Sequence, residues 1–238
     1  MKTKIFFQLT LLWVFACTSQ IIAQMQEDEK PEFKTLFQTD KPLRMSGFGG
    51  PNVEFSSFGK DDLAVSVGGG GAFLINNRFY LGGYGQGLAT YHYLTDFRTY
   101  DPVSKKWIDY SDKRVNFGHG GFWVGGIFRP EDAIHFGVSS KIGWGEISLI
   151  EDEYQEERYQ PYFVDHVFVL TPQIEVEANL ARWLKINAAV GYRFVSGINR
   201  SYQAYDNSGN LLGSKNVYET ADFNSPQANV TFIFGWFW

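Results

Sequence analysis

Residues 230–238 (VTFIFGWFW) constrain this chain more than any other stretch. Side chains of an extended strand alternate sides, so Val230, Phe232, Phe234, Trp236 and Trp238 share one face. A bare strand with a wholly apolar face gains little in a water-soluble domain and is an aggregation hazard. A strand that closes a membrane barrel needs such a face toward lipid, with aromatic residues at the interfacial girdle.

The N-terminus points to the same compartment. Lys2 and Lys4 precede an apolar run from Ile5 to about Cys17, and Ile21-Ile22-Ala23 ends on a small residue before Gln24. This layout predicts a secretory signal peptide over 1–23, and the run is too short for a spanning helix. Cys17 is the only cysteine. Lipidation there is the alternative, but Phe15 in Val14-Phe15-Ala16-Cys17 is bulky for a lipobox. After cleavage behind Ala23 no disulfide is available, so stability must come from the sheet. Residues 24–42 are polar, charged and non-periodic, and are expected to be a flexible periplasmic segment or, alternatively, a docking segment for a periplasmic partner.

No later stretch offers about twenty consecutive apolar residues. A mean hydropathy of −0.22 looks soluble, but barrels escape hydropathy because only every second residue faces lipid. Aromatic residues at 18% and 25 glycines in 238 residues are high against ordinary usage. The formal charge is −5, and −7 without Lys2 and Lys4, which argues against nucleic acid as a partner.

From Arg44 onward the chain alternates in segments separated by turn signals. Eight strands are predicted: 44–58, 63–75, 79–93, 114–128, 133–147, 163–179, 184–198 and 224–238. In the seventh, Leu184, Ile186, Ala188, Val190, Tyr192 and Phe194 oppose Lys185, Asn187, Gly191 and Arg193. In the sixth, Phe168, Leu170, Ile174 and Val176 oppose Thr171, Gln173, Glu175 and Glu177. In the fourth both faces fit equally, and its register stays open. The links alternate long and short (94–113, 148–162 and 199–223 against 76–78, 129–132 and 180–183), as expected for outer loops and periplasmic turns; only the first, Gly59-Lys60-Asp61-Asp62, is short where a long one could sit.

Volume separates a membrane barrel from a soluble one. An eight-strand interior is just wide enough for side chains, and Phe136, Trp144, Phe168, Tyr192, Phe194, Phe232, Phe234, Trp236 and Trp238 would overfill it. Those rings are therefore expected outside, with Ser, Thr, Gln, glycine and a few charges inside. A three-residue turn at Asn76-Asn77-Arg78 places Gly70 of the Gly68–Gly71 run opposite Tyr84 on the inner face, where the ring covers the glycine. Phosphate binding has no support there, since a P-loop Lys-Ser/Thr and a following helix are missing. Pro51, Pro172 and Pro226 fall within predicted strands and are expected at bulges or above the ladder.

The closing aromatic strand, the leader and the alternating segments together resemble small Gram-negative outer-membrane β-barrels of the OmpA/OmpX-like or porin-like kind. The resemblance implies an all-β fold, a single antiparallel up-and-down transmembrane β-barrel over 43–238, and location in the cell outer membrane. It implies that Phe234, Trp236 and Trp238 form a C-terminal assembly signal. Implied partners are outer-membrane lipid, lipopolysaccharide and the barrel assembly machinery; a further periplasmic or extracellular protein partner stays unidentified.

The candidate site is the lumen. Glu54, Lys141, Glu175, Glu177, Lys185 and Arg193 fall on inward positions, and Arg44 is a candidate to join them. Mixed signs in a buried place imply pairing, hence an internal plug rather than a proton or ion path. The barrels this chain resembles include lipid-A deacylases and palmitoyl transferases that place His with Ser, or with Asp and Ser, near the outer leaflet; by that resemblance His92 or His166 could meet Ser196 or Asp165. No two of the four histidines (with His119 and His135) are close on one strand, so no metal site is expected, and no cofactor. The long loops carry Asp96, Tyr100, Asp101 and Trp107 and an acidic run over 151–159, which is expected to be a solvated loop. Together these features predict a non-enzymatic outer-membrane barrel with a plugged polar lumen and a structural or surface-binding role. The alternatives are a narrow porin-like channel and a lipid-A-modifying enzyme.

Overall fold

The computed structural model describes residues 43–59, 62–94, 97–151, 161–206 and 208–237. The expected signal peptide, Cys17, the 24–42 segment, Asp96, Trp238 and nearly all of the acidic 151–159 run lie outside the described residues. In chain order the strands are β1 (Met45–Phe58), β2 (Asp62–Ile75), β3 (Phe79–Leu88), β4 (Arg98–Asp101), β5 (Lys106–Asp109), β6 (Arg114–Phe128), β7 (Ile134–Ile150), β8 (Tyr162–Ala181), β9 (Leu184–Ser196), β10 (Ser201–Tyr205), β11 (Leu211–Asn216) and β12 (Ser225–Gly235). One helical turn, α1 (Thr220–Phe223), precedes β12.

Strands β1, β2, β3, β6, β7, β8, β9 and β12 close an antiparallel up-and-down barrel, and β12 returns to β1. Stepping from partner to partner, Met45, Ile75, Phe79, Gly126, Val138, Ile174, Val190 and Ala228 lead back to β1 at Phe55, ten residues further on. An eight-strand closure with such a stagger tilts its strands by about 35–45°. Short turns join β2–β3, β6–β7 and β8–β9 at the periplasmic end, where β1 begins and β12 finishes. Asn76 and Asn77 both hold positive φ in the first of these, a conformation asparagine tolerates better than most residues.

The expected outward faces are observed. Phe73, Phe122, Phe136, Trp144, Ile174, Val190, Phe194, Phe232 and Phe234 are exposed on the outer wall. Only hydrocarbon accepts a closed apolar band of this kind without cost, so the chain is a transmembrane barrel. The register of β6, open in sequence, puts Val115, Phe117, His119, Trp123 and Ile127 inside and Phe122, Val124 and Phe128 outside. Gly70 does pair with Tyr84, whose ring points inward.

Three expectations need correction. The lumen is not filled by polar groups and glycine alone, for Phe48, Tyr80, Tyr84, Phe117 and Trp123 are buried in it. Inward glycines make the room: a Cβ at Gly125 would run into the Tyr80 ring, and one at Gly143 would stand 2.6 Å from the Tyr84 hydroxyl. Nor are glycines confined to the lumen. Outward positions hold Gly49, Gly71 and Gly83 in one paired row and Gly69, Gly85 and Gly120 in the next. Finally, Pro51 and Pro172 sit at no bulge: each pairs with one neighbour and breaks the ladder to the other without shifting register. Proline lacks one donor, so one side of the strand goes unpaired while the closed wall holds the alignment. Pro226 pairs with Tyr192 and lies just past the last β1–β12 pair, as expected.

Two outer loops are longer-range structures than sequence suggested. One contains the β4–β5 hairpin and the other the β10–β11 hairpin. The Thr99 hydroxyl donates to the Gln203 carbonyl at 3.1 Å, and Phe97 packs on Tyr202 with ring centres 4.7 Å apart.

Candidate functional site

Alternation delivers the polar groups of the lumen. Glu175 and Glu177 are two apart on β8, Lys185 and Arg193 lie on β9, Lys141 on β7 and Glu54 on β1, all pointing inward and buried. Arg44 is not among them. It precedes β1, is exposed, and its backbone N–H donates to Asn76 Oδ1 at the periplasmic rim.

Near the periplasmic end, Glu177 Oε2 accepts from Lys185 Nζ at 3.2 Å and faces His135 Nε2 at 3.0 Å. His135 in turn reaches the Asp132 carbonyl of the β6–β7 turn at 3.0 Å. One level up, Glu175 meets no cation within ion-pair distance among the described residues. It accepts instead from the Tyr80 hydroxyl (3.0 and 3.1 Å), Ser139 Oγ (2.5 Å), Gln173 Nε2 (2.9 Å) and Asn187 Nδ2 (3.1 Å). Toward the outer end, Glu54 pairs with Arg193 Nη1 at 2.9 Å and accepts from Gln86 Nε2 at 2.7 Å. Lys141 donates to Gln86 Oε1 at 3.0 Å and lies 5.4 Å above the Tyr84 ring centre. Three carboxylates and three cations thus share the layer, paired directly in Glu54–Arg193 and Glu177–Lys185, while Glu175 and Lys141 are held by neutral partners.

Apolar clusters cap this layer at both ends. Phe48, Leu74, Tyr80, Trp123, Ile127 and Ile233 fill the periplasmic side, with edge-to-face contacts of 5.2–5.7 Å among Phe48, Tyr80 and Trp123. Phe237, just past β12, turns its ring to within 4.3 Å of Lys185 Nζ. On the outer side Phe117, Ile147, Leu149, Val169 and Val195 pack under Tyr218 and Phe223 of the last loop. A void of about 10 Å³ beside Lys141, Asn52, Thr231 and Tyr84 has room for roughly one water.

The residues considered for catalysis do not assemble. His92 is held by the Thr90 hydroxyl at 2.8 Å and packs on Phe58 at 4.7 Å; burial pushes its basicity down. His166 is exposed on the outer wall, cross-strand from Glu146, while Asp165 points inward and accepts the backbone N–H groups of Asn199 (3.2 Å) and Arg200 (2.9 Å). Ser196 is exposed on β9. No cluster of metal-ligating side chains occurs among the described residues. Of the proposed assembly signal, Phe234 stacks on Trp183 at 6.2 Å and Trp236 is 75% exposed.

Sequence reasoning missed Tyr80, Gln86 and His135 as members of the polar layer. The signal was present: His135 lies between the outward Ile134 and Phe136, so its parity places it inside.

No family model and no curated protein matches the chain. Among solved structures it is similar to Neisserial surface protein A (TM-score 0.48, 6% identity, 83% of this chain and 100% of that one). It is also similar to Ail, the attachment invasion locus protein of Yersinia pestis (TM-score 0.39, 11% identity, 80% and 97%). A third similarity is to the outer membrane protease OmpT of Escherichia coli (TM-score 0.31, 10% identity, 85% and 98%). The likeness is one of architecture. By its closed eight-strand wall and apolar exterior, the chain has the build of an integral outer-membrane β-barrel protein.

Proposed function

We propose that this protein is a non-enzymatic outer-membrane barrel that does not conduct and that binds through its outer loops. The observation that carries this reading is the filled lumen: a charge-compensated polar layer between two apolar plugs, with a void of single-water size. Among the described residues, Trp123 and Tyr80 fill one side of the lumen and Phe117 and Phe223 the other, each 3% exposed or less, which supports a closed interior. The binding role is supported by the two hairpins above the barrel. Tyr100 touches both Trp107 (5.4 Å) and Tyr205 (5.5 Å), so the two loops meet in one surface. Lipid, lipopolysaccharide and the assembly machinery belong to the proposal as partners on the strength of the apolar wall and its closing strand.

Purified protein reconstituted in a planar bilayer tests the plug. The expected record is flat, and stable, reproducible single-channel steps overturn the reading in favour of a narrow channel. Mass spectra of lipid A with and without the gene are expected to coincide. An altered acyl pattern that disappears in His92→Ala or His166→Ala would replace the binding role by a lipid-modifying one.

A further inference from the structure

The outer plug is built unlike the inner one. The inner plug consists mainly of residues on the strands themselves, whereas the outer one depends on Tyr218 and Phe223, which belong to a loop. Both are 1% exposed. Phe223 packs against Phe117 (5.3 Å), Phe58 (5.4 Å) and Tyr218 (6.2 Å), so its ring fills the mouth of the barrel. The four-residue turn α1 that carries it is far too short to be stable alone, so contacts at its flanks must set its shape.

Val217 N–H donates to the Arg200 carbonyl at 2.9 Å, where the segment leaves β11, and four further bonds hold the rest among the described residues. Gly59 N–H donates to the Asp222 carbonyl (3.0 Å), Val195 N–H to Asn224 Oδ1 (2.6 Å), and the Tyr218 hydroxyl to the Phe163 carbonyl (2.9 Å). All three reach only the rim. The fourth reaches the lumen: Arg193 Nε donates to the Phe223 carbonyl at 3.0 Å while Nη1 holds Glu54 at 2.9 Å and Nη2 lies 3.4 Å from Ser225 Oγ. The same guanidinium rests over the Phe117 ring at 5.2 Å. One planar fork therefore ties the loop backbone, the first residue of β12 and the lumen carboxylate together, a task the point charge of lysine cannot share out in this way.

We propose that residues 217–224 form a lid over the outer mouth of the barrel and that Arg193 is the latch that holds it shut. Opening the lid removes Phe223 and Tyr218 from the outer plug and exposes the lumen down to Glu54. The inner plug stays closed, so the open form is a vestibule facing outward rather than a channel. The inference stands apart from the binding role of the hairpins, since it concerns only the segment between β11 and β12.

Amide hydrogen exchange on the full chain folded in phosphatidylcholine vesicles tests it. The readouts are the hydrogen-bonded amides of Val217, Asp222 and Asn224 against those of β8 and β9. Arg193→Lys keeps a cation near Glu54 but loses the fork, and the lid amides are expected to exchange about tenfold faster with the strands unchanged. Arg193→Met combined with Glu54→Gln removes both partners of the latch pair and is expected to do the same. Glu54→Gln alone keeps the bond to Phe223 and is expected to leave the lid amides within about twofold of wild type. A heat-modifiable band on a gel verifies folding, and where the double variant does not fold, Arg193→Lys decides. Unchanged lid exchange in Arg193→Lys overturns the proposal. So does acceleration spread evenly over β8 and β9, because that marks Arg193 as a support of the whole barrel rather than of the lid.

Discussion

The two halves of the barrel wall solve the same problem in opposite ways. In β7, β8, β9 and β12 the rings and branched residues face lipid (Phe136, Trp144, Ile174, Tyr192, Phe194, Phe232), and the inner face carries Lys141, Glu175, Glu177, Lys185 and Arg193. In β1, β2, β3 and β6 the rings Phe48, Tyr80, Tyr84, Phe117 and Trp123 turn inward, and the outer face has glycine rows. This half carries bulk on both sides, because Phe55, Phe73, Phe79, Phe122 and Phe128 still face out between the glycines. A lumen of eight strands has room for one set of large side chains, so the wall that supplies charges must send its rings out, and the wall that supplies rings must thin itself with glycine. Each half fills what the other leaves: the Tyr80 hydroxyl of β3 donates between the two carboxylate oxygens of Glu175 of β8, and Lys141 of β7 lies over Tyr84 of the same strand as Tyr80.

The largest effect is expected where an inward glycine lies tight against backbone. A Cβ at Gly121 would stand 2.5 Å from the Gly143 Cα, and the obstacle is backbone, which cannot rotate away. Gly121→Val is expected to cost about 3 kcal/mol or more and to leave little heat-modifiable barrel on a gel. Wild-type amounts of folded band would show that the ring-bearing wall can part without losing closure.

Next comes the charged wall. Lys185→Met leaves Glu177 with His135 and Asn187 but no full-time cation, and breaking a buried pair from one side typically costs about 3–5 kcal/mol. Adding Glu177→Gln removes the stranded charge and is expected to restore most of the loss, read as the urea midpoint of the barrel in vesicles. Equal destabilisation in single and double variants would mean that packing under Phe237, not charge, is what Lys185 contributes.

Tryptophan tests the comparison with one residue type. Trp123 is 3% exposed among Phe48 and Tyr80, and Trp144 is 59% exposed on the outer wall. Trp123→Ala opens a cavity in a packed plug and is expected to cost about 3–5 kcal/mol. Trp144→Ala leaves a space that lipid refills, at about 1 kcal/mol or less. Similar losses at both sites would erase the distinction between a packed lumen and a lipid-facing exterior.

The same division decides how much was legible in the sequence. On the charged wall each strand sorts into one apolar and one polar face, so Lys185, Asn187 and Arg193 could be placed inside by parity alone. On the ring wall both faces of β6 hold aromatics, with Phe117 and Trp123 inside and Phe122 and Phe128 outside, and a period of two has no contrast to report. Its face is fixed by pairing, with β3 through Gly121 opposite Tyr84 and with β7 through Trp123 opposite Lys141. The candidate lumen residues were legible because a charge has one tolerable side of a lipid-embedded wall. Which partners they choose was not, since Glu175 rests on Tyr80, which comes 95 residues earlier. The loops were the least legible. The β4–β5 and β10–β11 hairpins gain their order from each other, through Thr99 and Gln203 and through Tyr100 and Tyr205, and contacts between distant loops leave no periodic mark.

The smallest expected effect is the sharpest test of why the outer glycines are there. Gly85 faces outward in the middle of β3, and nothing lies within 4 Å of where its Cβ would be; Gly118 and Gly87 have their nearest atoms at 3.8 and 4.0 Å. Sterics within the chain do not demand glycine at these places, in contrast to Gly121 one strand away. Glycine in a strand also loses more conformational freedom on folding than any other residue, and a β-branched residue fits a pleated surface better. Gly85→Val should therefore raise the stability of the isolated barrel by about 0.5–1 kcal/mol, seen as a higher urea midpoint in vesicles. A loss of stability would mean that the ring-bearing wall needs its outer glycines for curvature as well as its inner ones, and that a missing steric clash is not enough to judge a strand position in a tilted, closed sheet.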